Sequence, residues 1–409
     1  MKSIKIKKDL GNIYVISILA YLSCFITIDN NYFQGYVNIK MGCMMILLVY
    51  IFVYHKIMLS GRYIKVNLCF SLLSLLIIIS SFINNDSPYN SGDYVLSSIN
   101  FIISVLGILF AVEFASYKQK MHILIKIYYM ITLCIVIITD LYIFLDPNKS
   151  AMSGDIYFIG TKFTVVYFHL FLVVFYMLKQ VRSIRKYILP VIFLSIVTLI
   201  ISIQVDCMTG IVGIFAFIFM YIISNKFSYI MTRPYIYIIT LVASGLFVVF
   251  YSVIMRLGFV ENFLENILHT STELTGRTWI YSVLPFILRQ NLWLGNGFRS
   301  SFDVMMHIMH APNTQNGLTE WLLEGGILTT AAFLYLVWMI LKAVKYVNVN
   351  INSKKNKYIV IYSLLYVLAI LSTVEIMLNR EIYFVWLAIL FGVLTERDNN
   401  IDIKNIEKL

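Results

Sequence analysis

Long, nearly uninterrupted runs of apolar residues divide this chain, each close to the roughly 20 residues that carry an α-helix across a bilayer. They lie near residues 13–28, 37–54, 66–83, 95–115, 121–145, 163–178, 187–203, 208–223, 235–254, 318–341, 358–378 and 382–394 of 409. In hydrocarbon every backbone N–H and C=O must be satisfied internally, which leaves helices or a closed barrel. Barrel strands would read as about ten residues of alternating polarity, and these runs do not alternate. The expected fold is all-α, a polytopic integral membrane protein of about 12 transmembrane helices forming a single membrane domain, with the last span short enough to be tilted or re-entrant. Composition excludes the soluble alternative. Apolar residues make up 60% and charged residues 13%, about half the usual charged share, so a soluble fold could not cover itself with polar surface.

The net charge of +11 raises the question of a nucleic-acid partner, which would need its Lys and Arg gathered on one face or element. Here they punctuate the apolar runs instead, and no nucleic-acid partner is expected. Of the 32 Lys and Arg, 24 fall in the N-terminal tail, the segments 55–65, 116–126, 179–187, 224–234 and 342–357, and the C-terminal tail. The other eight are Lys40, Lys149, Lys162, Arg256, Arg277, Arg289, Arg299 and Arg380. Because short cytoplasmic loops hold the excess of basic residues, both termini are expected in the cytoplasm. The loops with Asp86 and Asp93, and with Asp146 and Asp155, are expected outside. Lys2, Lys5, Lys7 and Lys8 precede the first run as in a signal peptide, yet no small-x-small cleavage site follows before Asp29-Asn30-Asn31, so an uncleaved first span is expected. Cys24, Cys43, Cys69, Cys134 and Cys207 lie in or beside the runs without metal-ligand spacing. They read as packing residues, with no disulfide, metal or cofactor expected.

One connection, from about Met255 to Gly317, is far longer than the rest and falls on the expected external side. Loops this long inside a compact protein are commonly functional. With the span that follows, it carries Arg256, Arg277, Arg289 and Arg299 and no Lys. Arginine presents a planar fork that grips phosphate oxygens bidentately; the competing reading is interfacial snorkelling or pairing with Glu261, Glu265, Glu273 and Asp303. Trp279 to Leu288 has helical potential along a membrane surface. Thr275 or Gly276 is its expected N-cap, placing Arg277 in a first turn that favours anions. Leu294-Gly295-Asn296-Gly297-Phe298-Arg299 reads as a tight turn needing positive φ that aims Arg299. A helix from about Asn316 would set Asn316, Glu320 and Glu324 on one polar stripe. Carboxylates at the edge of hydrocarbon face a cavity or a partner, so the stripe is either a structural pairing with loop arginines or a source of a general base, Glu320 or His310.

These residues resemble the O-antigen ligase and polysaccharide polymerase superfamily of bacterial membrane proteins, the Wzy/WaaL type. Gly276-Arg277, Trp279, Gly295-Asn296-Gly297 and Glu324-Gly325-Gly326 follow the family's order and spacing over residues 272–335. Gly160-Thr161-Lys162-Phe163 and Cys207-Met208-Thr209-Gly210 resemble motifs that open two earlier spans. The family's His-Asn pair is replaced by Pro312-Asn313 and Gln315-Asn316, with His307 and His310 nearby. The resemblance implies a bacterial cytoplasmic-membrane enzyme acting on undecaprenyl-pyrophosphate-linked oligosaccharide at the outer face. A growing chain is attacked at its anomeric carbon by a hydroxyl of another lipid-linked unit, and undecaprenyl pyrophosphate leaves. It implies a metal-independent glycosyltransferase, Arg277 and Arg299 on the pyrophosphate with Arg289 and Arg380 behind them, and a flippase and a chain-length regulator as partners.

A polymerase of repeat units leads this reading, and a ligase that hands the glycan to lipid A core or protein is the alternative within the family. A lipid-linked oligosaccharide flippase is the alternative of another class. Transporters carry internal repeats and mid-membrane functional residues. This chain has no six-plus-six echo, and its polar residues within the runs are chiefly Glu113, Asp140 and Glu375, each an expected partner for Lys or Arg.

Overall fold

The computed structural model describes residues 2–29, 31–87, 89, 91–145, 156–180, 188–255, 257–258, 277–346 and 352–396. Each apolar run forms a helix: α1 (Lys2–Ala20), α2 (Tyr36–Met58), α3 (Ile64–Ile83), α4 (Tyr94–Tyr117), α5 (Met121–Leu145), α6 (Lys162–Lys179), α7 (Ile188–Gln204) and α8 (Met208–Lys226). A one-turn helix, α9 (Ser228–Met231), precedes α10 (Pro234–Met255). The long connection supplies α11 (Arg277–Gln290) and α12 (Ser301–Met309), and α13 (Gly317–Leu341), α14 (Asn352–Leu371) and α15 (Glu381–Thr395) complete the bundle. Among the described residues, strand occurs only in a two-stranded antiparallel ribbon pairing Ile156–Tyr157 with Gly160–Thr161.

Eight of these helices are long and apolar enough to cross a membrane: α2 to α6, α8, α10 and α13. Asp9–Phe25, α7 and α15 are shorter apolar helices, and α14 opens with Lys354, Lys355 and Lys357 before its apolar stretch. Outward faces carry large apolar side chains: Phe52 is 81% exposed, Leu145 80% and Phe82 73%. A belt of this kind suits a lipid surface. α15 sits at the centre instead. Every residue from Tyr383 to Thr395 is buried, packed on α4 and α14, so the shortest expected span is an internal helix about 22 Å long.

The eleventh run departs from expectation. Its helix ends at Leu371, not near 378, because neighbouring elements claim the carbonyls past that point. Gly317 N–H donates to Ser372 O at 2.8 Å, Tyr281 Oη and Asn316 Nδ2 each donate to Thr373 O at 3.2 Å, and Arg277 Nη2 donates to Val374 O at 3.1 Å. A helix terminus leaves carbonyls unsatisfied, and here the long connection supplies the donors. The expected acid–base pairings also change. Glu113 accepts from Asn67 at 3.0 Å and Asp140 pairs with His169 at 2.9 Å, so only Glu375 meets an arginine, Arg277 at 3.6 Å.

The two ends of the bundle differ in chemistry. At one end basic residues tie helix ends together: Arg62 donates to Thr395 O at 2.8 Å, Lys118 pairs with Asp9 at 2.9 Å, and Lys354 reaches Glu396 O. The long connection, the β-ribbon and the broken ends of α1 and α14 gather at the other. There α1 closes in a π-turn, Tyr21–Phe25, before extended Ile26. Such turns often adjoin functional sites.

Candidate functional site

α11 is amphipathic on its inner side. Ile280, Tyr281, Leu284 and Ile287 fall at helical spacing and bury against Val248 and Tyr251 of α10, Val304, Met305 and Met309 of α12, and Leu323 of α13. Its outer face leaves Trp279 and Phe286 exposed beside the exposed Arg289. The expected cap residues Thr275 and Gly276, and Glu261, Glu265, Glu273 and Arg256, lie outside the described residues. Arg277 is the first residue of α11.

The glycine turn and the start of α13 are built against each other. Gly295 (φ 67°), Gly297 (φ 99°) and Arg299 (φ 66°) adopt left-handed backbone, which glycine takes without a Cβ penalty. α13 is broken at Gly326 (φ 67°, ψ −171°). Across the contact Asn296 N–H donates to Leu323 O and Gly297 N–H to Glu324 O, each at 2.9 Å, and Ile327 N–H returns to Leu292 O at 2.9 Å. Phe298 then anchors the turn in the core, 4.6 Å from Phe101 between ring centroids. Phe298 is thus held inward, and the left-handed Arg299 stands half exposed at the rim.

That rim bounds a cavity of about 560 Å³. Its wall brings together Lys40 of α2, Arg299, Arg380 just before α15, and the carboxylates Glu320, Glu324 and Glu381. The ribbon contributes Gly160 and Thr161, residues of the first sequence echo. The second echo packs on α6, since Gly210 lies so close to Val166 that a Cβ there would fall 2.1 Å from the valine. Arg299 pairs with Glu381 at 2.9 Å. Lys40 and Arg380 have no ion pair among the described residues. Glu320 is buried, with Oε2 accepting from Thr314 Oγ1 at 2.6 Å and from Thr314 N–H at 3.1 Å. Glu324 accepts from Asn379 Nδ2 at 3.2 Å, leaving the buried Asn379 Oδ1 on the cavity wall with no partner among the described residues. A buried acceptor without a donor costs about 1–3 kcal/mol, so a ligand hydroxyl or N–H is favoured there. The site can therefore hold an anion with two uncommitted cations and a hydroxyl with acceptors alongside.

The candidate residues distribute unevenly around this cavity. Arg299, Arg380, Glu320, Glu324 and Asn313 line it, while Gly295, Gly297 and Gly326 form the turn and break that shape it. Asn313 Oδ1 accepts from Gln315 N–H at 2.9 Å. Asn316 is structural: it caps α13 by accepting from Leu318 and Thr319 N–H at 3.1 Å and donates to Ser244 O at 2.7 Å. Trp279 and Arg289 lie on the outer face of α11, away from the lining. His310 is the left-handed C-cap of α12 (φ 53°), is exposed, and does not reach the cavity. Asp303, one expected arginine partner, instead accepts from Ser91 and Tyr94. Lys40, Asn379 and Glu381 were not singled out by the sequence. Each lies in a segment remote from the long connection, and no local motif marks it.

Arg277 also stands outside the lining. It donates to Gln315 Oε1 at 3.3 Å and pairs with Glu375, which lies beyond the end of α14 and outside any membrane-crossing helix. Burial pushes the Glu375 carboxyl up to about 7, against the pull of Arg277, Arg380 and Lys162. Folding thus favours the protonated acid. The contribution of this group to stability is full below its usual 4.5 and falls away as pH rises to about 7, by at most about 3 kcal/mol. Glu375→Gln is expected to flatten the fall in unfolding temperature between roughly pH 5 and 8, as read by thermal denaturation in detergent; an unchanged slope would remove Glu375 as its source. Compared with known proteins, the chain matches no family model, no curated protein and no solved structure.

Proposed function

We propose that this protein polymerises undecaprenyl-pyrophosphate-linked oligosaccharide repeat units at the outer face of a bacterial cytoplasmic membrane. The observation that carries the reading is the convergence of Lys40, Arg299 and Arg380 on one cavity with buried carboxylates beside them. The resemblance of the long connection to the polymerase and ligase superfamily supplies the substrate class. In this reading twelve helices span the bilayer, both termini are cytoplasmic and the cavity opens outward. Segregation of the basic helix ends to the opposite end of the bundle supports that orientation.

The chemistry balances without a nucleotide. The bond from the anomeric carbon to the pyrophosphate oxygen breaks, and its electron pair leaves with undecaprenyl pyrophosphate, whose charge Lys40, Arg299 and Arg380 hold. The attacking hydroxyl oxygen forms the new glycosidic bond, and its proton passes to Glu320. Guanidinium and ammonium groups supply the neutralising charge, so the scheme is metal-independent. A ligase would use the same donor half, and a flippase would have no need of a leaving-group site.

The test is reconstitution in vesicles with a purified lipid-linked repeat unit. A ladder of longer glycans is expected, with one undecaprenyl pyrophosphate released per new linkage. Movement of the lipid-linked unit across the bilayer with no bond formed would overturn the reading in favour of a transporter.

A further inference from the structure

A second cavity, of about 370 Å³, shares a wall with the first. Thr27, Lys40, Arg299 and Glu381 face both, so the Arg299–Glu381 pair stands as a partition between two compartments. Beyond that wall their chemistry diverges. The first adds Arg380, Glu320 and Glu324. Among the described residues the second adds no cation, and its one further charged group is Asp29.

The second compartment is built from a polar face set against an apolar one. On α4, Ser97, Asn100 and Ser104 follow one another at i, i+3 and i+7 and so share a face. On α2, Val37, Met41 and Met44, at i, i+4 and i+7, share a face on the opposite wall. The side chains of Ser97 and Asn100 have no hydrogen-bond partner among the described residues, whereas Ser104 Oγ reaches Ser23 O at 3.4 Å. Asp29 is fixed by its backbone: its N–H donates to Phe158 O at 3.1 Å, and its Oδ1 accepts from Asn31 N–H at 2.9 Å. One neutral amide, several hydroxyls and the Asp29 carboxylate suit the hydroxyls of a sugar, and the methionine wall suits its C–H faces. A second diphosphate would meet Asp29 with no further cation to offset the repulsion.

We propose that this compartment is the acceptor subsite. It holds the terminal sugar of the incoming unit, with one hydroxyl directed past the Arg299–Glu381 partition toward the anomeric carbon in the larger cavity. The proposal rests on the polymerase reading above and assigns the side from which the attacking hydroxyl arrives.

The experiment uses the full-length protein in vesicles, the lipid-linked repeat unit as donor, and the alkyl glycoside of that repeat unit as acceptor, which carries no leaving pyrophosphate. Asn100→Ala, Asp29→Asn and Ser97→Ala are compared with the wild type, each checked for an unchanged unfolding temperature. The expected result for Asn100→Ala and Asp29→Asn is an acceptor KM at least ten-fold higher, with donor KM within two-fold. An acceptor KM within two-fold for all three variants, or a matching loss for the donor, would overturn the subsite. If the wild type itself joins no units, it is the polymerase reading that fails.

Discussion

Arg380→Ala is expected to lower the rate of glycan elongation by about 10² to 10³-fold while leaving the fold intact. The magnitude is that of removing one preorganised donor from a site where negative charge develops. Arg380 is the sharpest probe of the proposed diphosphate site because its guanidinium has no ion pair among the described residues. Its side chain is exposed to the cavity and caps no hydrogen bond of α15. Removing Arg299 would be harder to interpret, since Glu381 would lose its partner and an unpaired, mostly buried carboxylate is costly. Arg380→Lys keeps the charge and loses the fork, so an intermediate rate is expected. The measurement is single-turnover release of undecaprenyl pyrophosphate, with glycan length on a gel beside it. Arg380→Ala within three-fold of wild type, together with loss of elongation in Arg277→Ala, would move the diphosphate to the Arg277–Glu375 side.

The helices were legible because an apolar run of about twenty residues has few other outcomes. The eleventh run shows where that reasoning stops. Val374, Ile376, Met377 and Leu378 continue the apolar pattern, yet the backbone turns because Gly317, Tyr281, Asn316 and Arg277 take its carbonyls. Those donors lie at least fifty residues away in sequence, and hydropathy does not register them. The glycine turn was legible for the opposite reason: Gly295 and Gly297 carry a local backbone requirement that needs no knowledge of neighbours. Arg299 could be placed from that turn. Lys40 and Glu381 could not, because their positions depend on which helix ends lie beside the long connection. His310 and Arg277 show the converse case, residues with a marked local pattern that fall outside the cavity lining. Their residue types suit a base and an anion binder, but a left-handed helix cap turns one to the surface and Glu375 engages the other.

Gly326→Ala is expected to destabilise the protein by roughly 3–5 kcal/mol, a large fraction of the ordinary margin of 5–15 kcal/mol. Two independent costs add. A Cβ on the left-handed Gly326 is strained by about 1–3 kcal/mol whatever surrounds it. It would also fall 2.4 Å from the carbonyl carbon and oxygen of Trp293, backbone atoms that cannot move without parting the turn from α13. Gly295 faces the same obstruction in reverse, at 2.5 Å from the carbonyl of Glu324, so Gly295→Ala should cost a similar amount. The hydrogen bonds that would break, Asn296 to Leu323 O, Gly297 to Glu324 O and Ile327 to Leu292 O, are those that hold Arg299 and Glu324 on one cavity. Damage at this contact therefore reaches the site even where the bundle survives. Gly42→Ala in α2 is the control, because a Cβ there meets nothing within 4 Å, and in a helix interior it should be neutral or stabilising by about 0.5–1 kcal/mol. Thermal unfolding and size-exclusion profiles in detergent distinguish the outcomes. A Gly326→Ala protein that melts with the Gly42→Ala control would show that the two backbones do not meet as described, and the cavity built on their contact would lose its floor.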